Sequence, residues 1–231
     1  MSRTLSIVIP AFNEERFIGT LLNQIRAVDL RPLGVEKQVI VVDDHSSDGT
    51  AQIVSGFPEV LLDRLPKNGG KGQAVRRGMD LATGDYLIIQ DADLEYDPQD
   101  YLPMMKALLD GRGDVIYGSR YMAHGRHARQ SLAAYLGGRS LSLIGYVCTG
   151  TWLTDTVTAL KLFPRELLPS LHLRTSGFEL DHEITAKILA KGLRIVEVPV
   201  SYHPRTREEG KKIGMRDWFI AARTFFAFRR G

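Results

Sequence analysis

Asp91 and Asp93, separated only by Ala92, follow the apolar run of residues 86–89, and Glu95 comes two positions later. In an extended chain residues i and i+2 point to the same side. Both carboxylates would then face one way, with Glu95 continuing the parity. A hard divalent cation relieves such a field, because Mg2+ or Mn2+ takes carboxylate oxygens together with substrate phosphate oxygens. Asp91, Asp93 and Glu95 are therefore candidate metal ligands, although aspartate also suits a plain turn.

Other polar clusters sit where apolar runs end. Residues 5–9 lead into Pro10-Ala11-Phe12-Asn13-Glu14, residues 38–42 into Asp43-Asp44-His45-Ser46-Ser47-Asp48, and residues 115–117 into Gly118-Ser119-Arg120-Tyr121. Acids, glycines and hydroxyls at successive strand ends fit a nucleotide crevice. Ser46, Ser47 and Asp48 fit helix capping at least as well. Asp43 and Asp44 are adjacent acids, which repel unless a cation or hydrogen-bond donor is near. Asn68-Gly69-Gly70-Lys71-Gly72 opens a helix and reads either as an anion cradle or as a glycine turn. It lacks the spacing of a Walker loop.

The elements that must position these residues alternate. Short apolar runs at 5–9, 38–42, 60–62, 86–89 and 115–117 read as buried strands. Helical periodicity covers 14–28, 72–82 and 98–109. Later come a helix at 130–147, a strand at 159–163, a helix at 177–190, a strand at 193–198 and a closing helix at 215–230. Alternation of this kind gives an α/β fold, a mostly parallel sheet with helices on both faces. Ligands then bind beyond the carboxyl ends of the strands. No repeat or linker divides the chain, so one domain is expected.

At 231 residues, 44% hydrophobic and 25% charged, the composition is that of a globular protein. One cysteine, Cys148, excludes an internal disulfide and points to a reducing compartment. No signal peptide is expected, and no run reaches the length of a spanning helix. The net charge of +3 is unevenly spread. Residues 201–231 carry eight Lys/Arg against three acids, and residues 119–154 carry Arg120, Arg126, Arg129 and Arg139 with no acid. Two basic segments fit an anionic partner or two solvated surfaces. Nucleic acid is not expected, for no groove-reading motif or base-stacking platform is present.

The stretches IVIPAFNEE, VVDDHSSDGT, GKGQAVRRGMDLATGDYLIIQDADLEYDP, GSRY, DTVTALKLFPRELL, SGFELDHEI and VEVPVSYHPRTREEGKKIG span nearly the whole chain. In this order they resemble glycosyltransferase family 2, and within it the polyprenyl-phosphate sugar transferases of the dolichol-phosphate mannose synthase kind. The resemblance implies a GT-A fold over residues 1–231, with a nucleotide-sugar half at 1–120 and an acceptor half at 121–231. It implies that Pro10, Phe12, Glu14, Val42 and Asp44 cradle base and ribose. Asp91, Ala92 and Asp93 would hold ribose, diphosphate and metal, with Glu95 standing where relatives often have a glutamine ligand. Arg120, Arg205 and a lysine of the Lys211-Lys212 pair would contact sugar diphosphate and acceptor phosphate, with Arg139 as a further contact.

That places Asp93, Arg120 and Arg205 in catalysis. An ionised lipid phosphate needs no base, but a sugar hydroxyl would. Asp181 stands where family members with hydroxyl acceptors place that base, and it also reads as a first-turn helix acid. The implied partners are a nucleotide sugar, polyprenyl phosphate, the cytoplasmic membrane surface and a membrane-anchoring subunit. An inactive nucleotide- or membrane-binding module is the non-enzymatic alternative. In residues 215–231, Trp218, Ala222, Phe225 and Phe226 form an apolar stripe, widened by Phe219 and Phe228. Flanked by arginines, that stripe suits either a membrane surface or the domain's own core.

Overall fold

Nine residues, Arg3–Ala11, form the central strand β1, and their near-unbroken burial is what a strand covered on both faces requires. The computed structural model describes residues 3–122, 127, 130–205 and 215–230. β1 is followed by α1 (Ile18–Ala27), β2 (Val35–Asp43), α2 (Thr50–Ser55), β3 (Val60–Arg64), α3 (Lys71–Leu81), β4 (Tyr86–Ile89) and α4 (Tyr101–Leu109). Then come β5 (Val115–Ser119), α5 (Leu132–Thr149), β6 (Lys161–Pro164), α6 (Leu168–Leu171), α7 (Leu180–Ala190), β7 (Ile195–Pro199) and α8 (Met215–Phe228).

The seven strands lie in the order β3-β2-β1-β4-β6-β5-β7. β6 alone is antiparallel, to both β4 and β5. Side-chain alternation splits the core in two. Leu5, Ile7 and Ile9 pack with α1 and α4 on one face, while Val8, Ile40 and Val42 pack with α3 and α7 on the other. This is the doubly covered sheet expected from the sequence. The short α2 and α6 fall below the length at which periodicity identifies a helix.

The topology fixes a crevice. From β1 the sheet grows through β2 and β3 on one side and through β4 on the other, so the order reverses between β1 and β4. At such a switch point the two chains leave the sheet in opposite directions and open a space above the carboxyl edge. Glu14 and Asp93 lie just beyond those two strand ends.

Candidate active site

The chain beyond β4 does not continue as a strand. Ile89 ends it, Ala92 and Asp93 form a turn, and Leu94 takes a positive φ of 60°. Strand parity therefore does not orient Asp91 and Asp93, which turn to different partners. Asp91 pairs with Lys71 at 2.8 Å. Asp93 pairs with Arg205 at 2.6 Å. Glu95 accepts from the Tyr202 hydroxyl at 2.9 Å and from the Arg205 amide at 2.9 Å.

Arg205 reaches this place because Tyr96 and Tyr202 form an isolated β-bridge that brings the chain after β7 against the turn. Its guanidinium lies 2.6 Å from Asp93, 3.4 Å from Glu14 and 3.8 Å from Glu95. Among the described residues, one cation thus faces three carboxylates. Burial, and then repulsion from Asp91 and Glu95, push the Asp93 carboxyl up to about 7 against the pull of Arg205. The donor set of carboxylate oxygens is hard and anionic, which fits Mg2+ or Mn2+. Among the described residues, however, no three His, Cys, Asp or Glu side chains converge as a metal cluster.

Asp44 supports the crevice from beside it. It is buried, and its two carboxylate oxygens accept the amides of Gly69 and Gly70 at 2.7 and 2.8 Å. Those amides remove the repulsion from Asp43, which itself accepts from the Ser46 amide at 3.0 Å and pairs with Arg64 at 3.1 Å. Gly70 has φ of 90°, and a Cβ there would meet the Ser176 carbonyl oxygen at 2.7 Å. Only glycine satisfies both conditions. The loop so held starts α3 at Lys71. Ser46, Ser47 and Asp48 act as turn and cap residues: Asp48 accepts the Thr50 amide, and Asn13 bridges to Ser46 and Ser47.

Asp181 is buried between two lysines, with Lys161 at 3.0 Å and Lys71 at 3.2 Å. Burial alone would raise its carboxyl. The two ammonium groups outweigh burial and hold it down at about 2. Glu183, two residues on, is fully buried and accepts from the Arg174 and Thr175 amides and from Lys187.

The remaining expected residues are placed as follows. Arg120 makes a bidentate pair with the fully buried Asp155, at 2.6 and 2.7 Å, and stacks over the Tyr121 and Tyr202 rings. Arg139 donates to the Thr154 carbonyl at 2.7 Å and lies over Trp152. Pro10 and Phe12 sit at the crevice edge, whereas the Val42 and Ala92 side chains are buried in the two cores. Lys211 and Lys212 lie outside the described residues. Three residues join the site beyond those expected there: Lys71, placed by the sequence only in a possible anion cradle or glycine turn, and Asp155 and Lys161, to which it gave no role. A lysine within the apolar run 159–163 was the signal for Lys161.

The closing helix divides differently from its helical projection. Ala222 and Phe225 are buried, and Trp218 donates to Ser140 at 2.9 Å. Phe225 also meets Gly145 of α5, so this part of the stripe is core. Met215, Phe219 and Phe226 face outward with Arg216, Arg223, Arg229 and Arg230. No helix among the described residues is long and apolar enough to cross a membrane.

Comparison with known proteins agrees with this architecture. The model of glycosyl transferase family 2 matches residues 6–170. A dolichol-phosphate mannosyltransferase of Pyrococcus furiosus is 30% identical over 215 residues, covering 91% of this chain but 59% of that protein. Mannosyl-3-phosphoglycerate synthase from Rubrobacter xylanophilus superposes with a TM-score of 0.71 at 18% identity, over 96% of this chain and 71% of that one. Glucosyl-3-phosphoglycerate synthase from Mycobacterium tuberculosis, solved with Mn2+, UDP and glucosyl-3-phosphoglycerate, gives 0.64 at 22% identity, over 90% and 74%. The family match places the chain in glycosyltransferase family 2, and the structural matches agree with its GT-A sheet.

Proposed function

We propose that the chain transfers a hexose from a nucleotide sugar, of the GDP-mannose or UDP-glucose type, to polyprenyl phosphate with inversion at the anomeric carbon. The observation that carries this reading is the gathering of Asp93, Glu14 and Glu95 around one guanidinium at the switch-point crevice, among the described residues. Asp91, Asp93 and Glu95 would hold Mg2+ or Mn2+. When bound, that cation supplies positive charge for the departing diphosphate, the kind of electrostatic help that dominates such transfers. Pro10, Phe12 and Glu14 border the space for the base and ribose. Arg205, released from its carboxylates, has the fork geometry to hold a phosphate bidentately.

The phosphate acceptor is favoured by the state of Asp181. A carboxylate held at about 2 by two lysines is a weak base at neutral pH, and it is buried. A hydroxyl acceptor needs a base with a much higher affinity for the proton. The relative named as a dolichol-phosphate mannosyltransferase points the same way. A panel of UDP- and GDP-sugars offered with short polyprenyl phosphate, with Mn2+ or with chelator, tests the proposal by product mass. Glycosyl phosphate formed only with metal is expected. Transfer to glycan hydroxyls alone refutes the acceptor.

Peripheral contact with the cytoplasmic membrane face belongs to the same reading. Leu132, Leu136, Leu143 and Val147 recur on one face of α5, and each is more than half exposed. The buried side of that helix holds the small residues Gly138, Ser142 and Gly145. Beside it, α8 turns Phe219 and Phe226 outward among four exposed arginines. Apolar burial and attraction to anionic lipid would add. At about 1 kcal/mol per arginine, four raise partitioning by about two to three orders of magnitude. Co-sedimentation with anionic liposomes should therefore be lost on truncation after Gly214, and equal pelleting of both chains would exclude α8 as the contact. A membrane-anchoring subunit would dock on the same side.

A further inference from the structure

Lys161 is remote from the crevice yet tied to it. It is fully buried on β6, donates to the Thr158 carbonyl, and lies 3.0 Å from Asp181 and 5.1 Å from the centre of the Tyr117 ring. The other oxygen of Asp181 meets Lys71, whose ammonium continues to Asp91 at 2.8 Å. Lys161, Asp181, Lys71 and Asp91 thus form an unbroken chain of alternating charge from beneath α7 to the turn after β4.

The backbone at the middle of this chain is fixed independently. The Gln73 amide donates to the Ser176 carbonyl at 3.0 Å. A Cβ on Gly72 would stand 2.7 Å from the Ser176 carbonyl carbon and 2.8 Å from the Gly177 oxygen. The start of α3 is therefore pressed against the segment that leads into α7. Lys71 and Asp181 are held together by main chain as well as by charge.

We propose that Lys161 is a positioning residue for the donor site: it keeps Asp181 anionic, and Asp181 in turn anchors Lys71 against Asp91. Asp181 is then a structural anion and not a proton acceptor. The physical reason is the opposition between burial and charge. Burial raises a carboxyl, and Lys161 and Lys71 reverse that at Asp181. Four groups face Asp181: Lys161 from β6, Lys71 from α3, Tyr117 from β5, and His182 beside it on α7. His182 is held low by burial, so the lysines carry the positive charge. Removing Lys161 leaves one ammonium shared between Asp181 and Asp91. Protonation of Asp181 then frees Lys71 from its anchor, and a side chain that is no longer held binds a ligand less well.

This inference rests on the donor-site reading of the crevice, and the experiment separates the two. Aspartate carboxyl groups labelled with 13C report the ionisation of Asp181 in the wild type, in Lys161→Met and, as the assignment control, in Asp181→Asn. UDP and GDP titrations at pH 5.5 and 8 report the donor site. In Lys161→Met the Asp181 midpoint should rise from about 2 to about 6.5, within the reach of burial acting on a carboxyl, so that about a tenth of it stays ionised at pH 5.5 and nearly all of it at pH 8. Relative to the wild type at the same pH, which cancels the titration of Asp93, nucleotide affinity should fall about tenfold at the lower pH and recover at the higher one. A purely structural loss would not recover with pH.

If Lys161→Met does not fold, the charge-balanced Lys161→Met/Asp181→Asn chain takes its place. Its affinity should equal that of Asp181→Asn alone. An unmoved midpoint, a loss independent of pH, or losses that multiply in the double variant would overturn the proposal. If neither nucleotide binds the wild type, the donor-site reading fails, whereas the Asp181 titration still decides whether Lys161 sets its charge.

Discussion

Asp93, half-buried, and Asp181, buried, are aspartates near one crevice, and their surroundings drive them in opposite directions. Asp93 shares Arg205 with Glu14 and Glu95, and its carboxyl is pushed up to about 7. Asp181 lies between Lys71 and Lys161 and is held at about 2. Residue type is the same and burial differs little, so the difference is the local balance of charge: Asp91 and Glu95 repel at Asp93, whereas two ammonium groups attract at Asp181. The first site has room, electrostatically, for more positive charge. The second is already balanced. Under the proposed function a cation or a phosphate-binding arginine would therefore sit on the Asp93 side, with the Asp181 side as fixed support.

The largest effect should come from breaking the first half of this contrast. Asp93→Asn should lower turnover about a thousandfold with little change in folding, since it removes a charge from the crevice and not from the core. Chelator should abolish wild-type transfer, and Mg2+ or Mn2+ should restore it. Full activity of Asp93→Asn in chelator would end the metal proposal. Next, Arg205→Ala should lower transfer to polyprenyl phosphate about a hundredfold while nucleotide affinity changes little. Isothermal titration with UDP or GDP beside a transfer assay separates these terms. Asp181→Asn should act differently, raising KM for the donor about tenfold with kcat nearly unchanged. A loss of about a hundredfold or more in kcat would instead mark Asp181 as a general base.

The fold was legible in sequence because its strands are long apolar runs and its larger helices are strongly periodic. β4, at Tyr86–Ile89, coincides with the predicted run. Helix starts were less visible: α1 begins at Ile18 and not at 14, because turns held by Asn13 and Glu15 come first. For the site, the sequence identified the crevice residues but misjudged their orientation. Periodicity assumes that a strand continues, and the positive φ at Leu94 shows that it had ended. Lys71, Asp155 and Lys161 escaped because their roles depend on partners far along the chain. Lys161 meets Asp181, and Asp155 meets Arg120. No local spacing rule encodes such a pairing. The α8 stripe stayed open between membrane and core for a related reason: a helical projection locates the apolar face but not the neighbour it meets. Here α5 presents glycines and serine to Trp218 and Phe225.

The smallest expected effect sharpens the contrast within a single turn of α7. His182 adjoins Asp181, and the two groups resolve the same opposition oppositely. Two lysines overcome burial at Asp181, but at His182 burial overcomes the neighbouring carboxylate and brings the imidazole down from 6.5 to about 4. The His182 ring has no hydrogen bond of good geometry, only a weak approach to the Phe178 main chain, and it meets Phe225 of α8 edge-on at 5.2 Å. In the folded chain the ring is therefore neutral at a pH where the unfolded chain takes up a proton. Between pH 6.5 and 4 the unfolded state binds more protons, so stability must fall as pH falls through that window. The full difference is about 3 kcal/mol by pH 4, from the shift in proton affinity. His182→Leu removes the titration and leaves a side chain of similar bulk among apolar neighbours, so stability at pH 7.5 should change by less than about 1.5 kcal/mol. Urea midpoints measured from pH 7.5 to 4 should therefore converge or cross, the wild type declining more steeply than the variant. Parallel pH profiles would show that His182 gains a partner or solvent in solution, and that burial does not decide its charge.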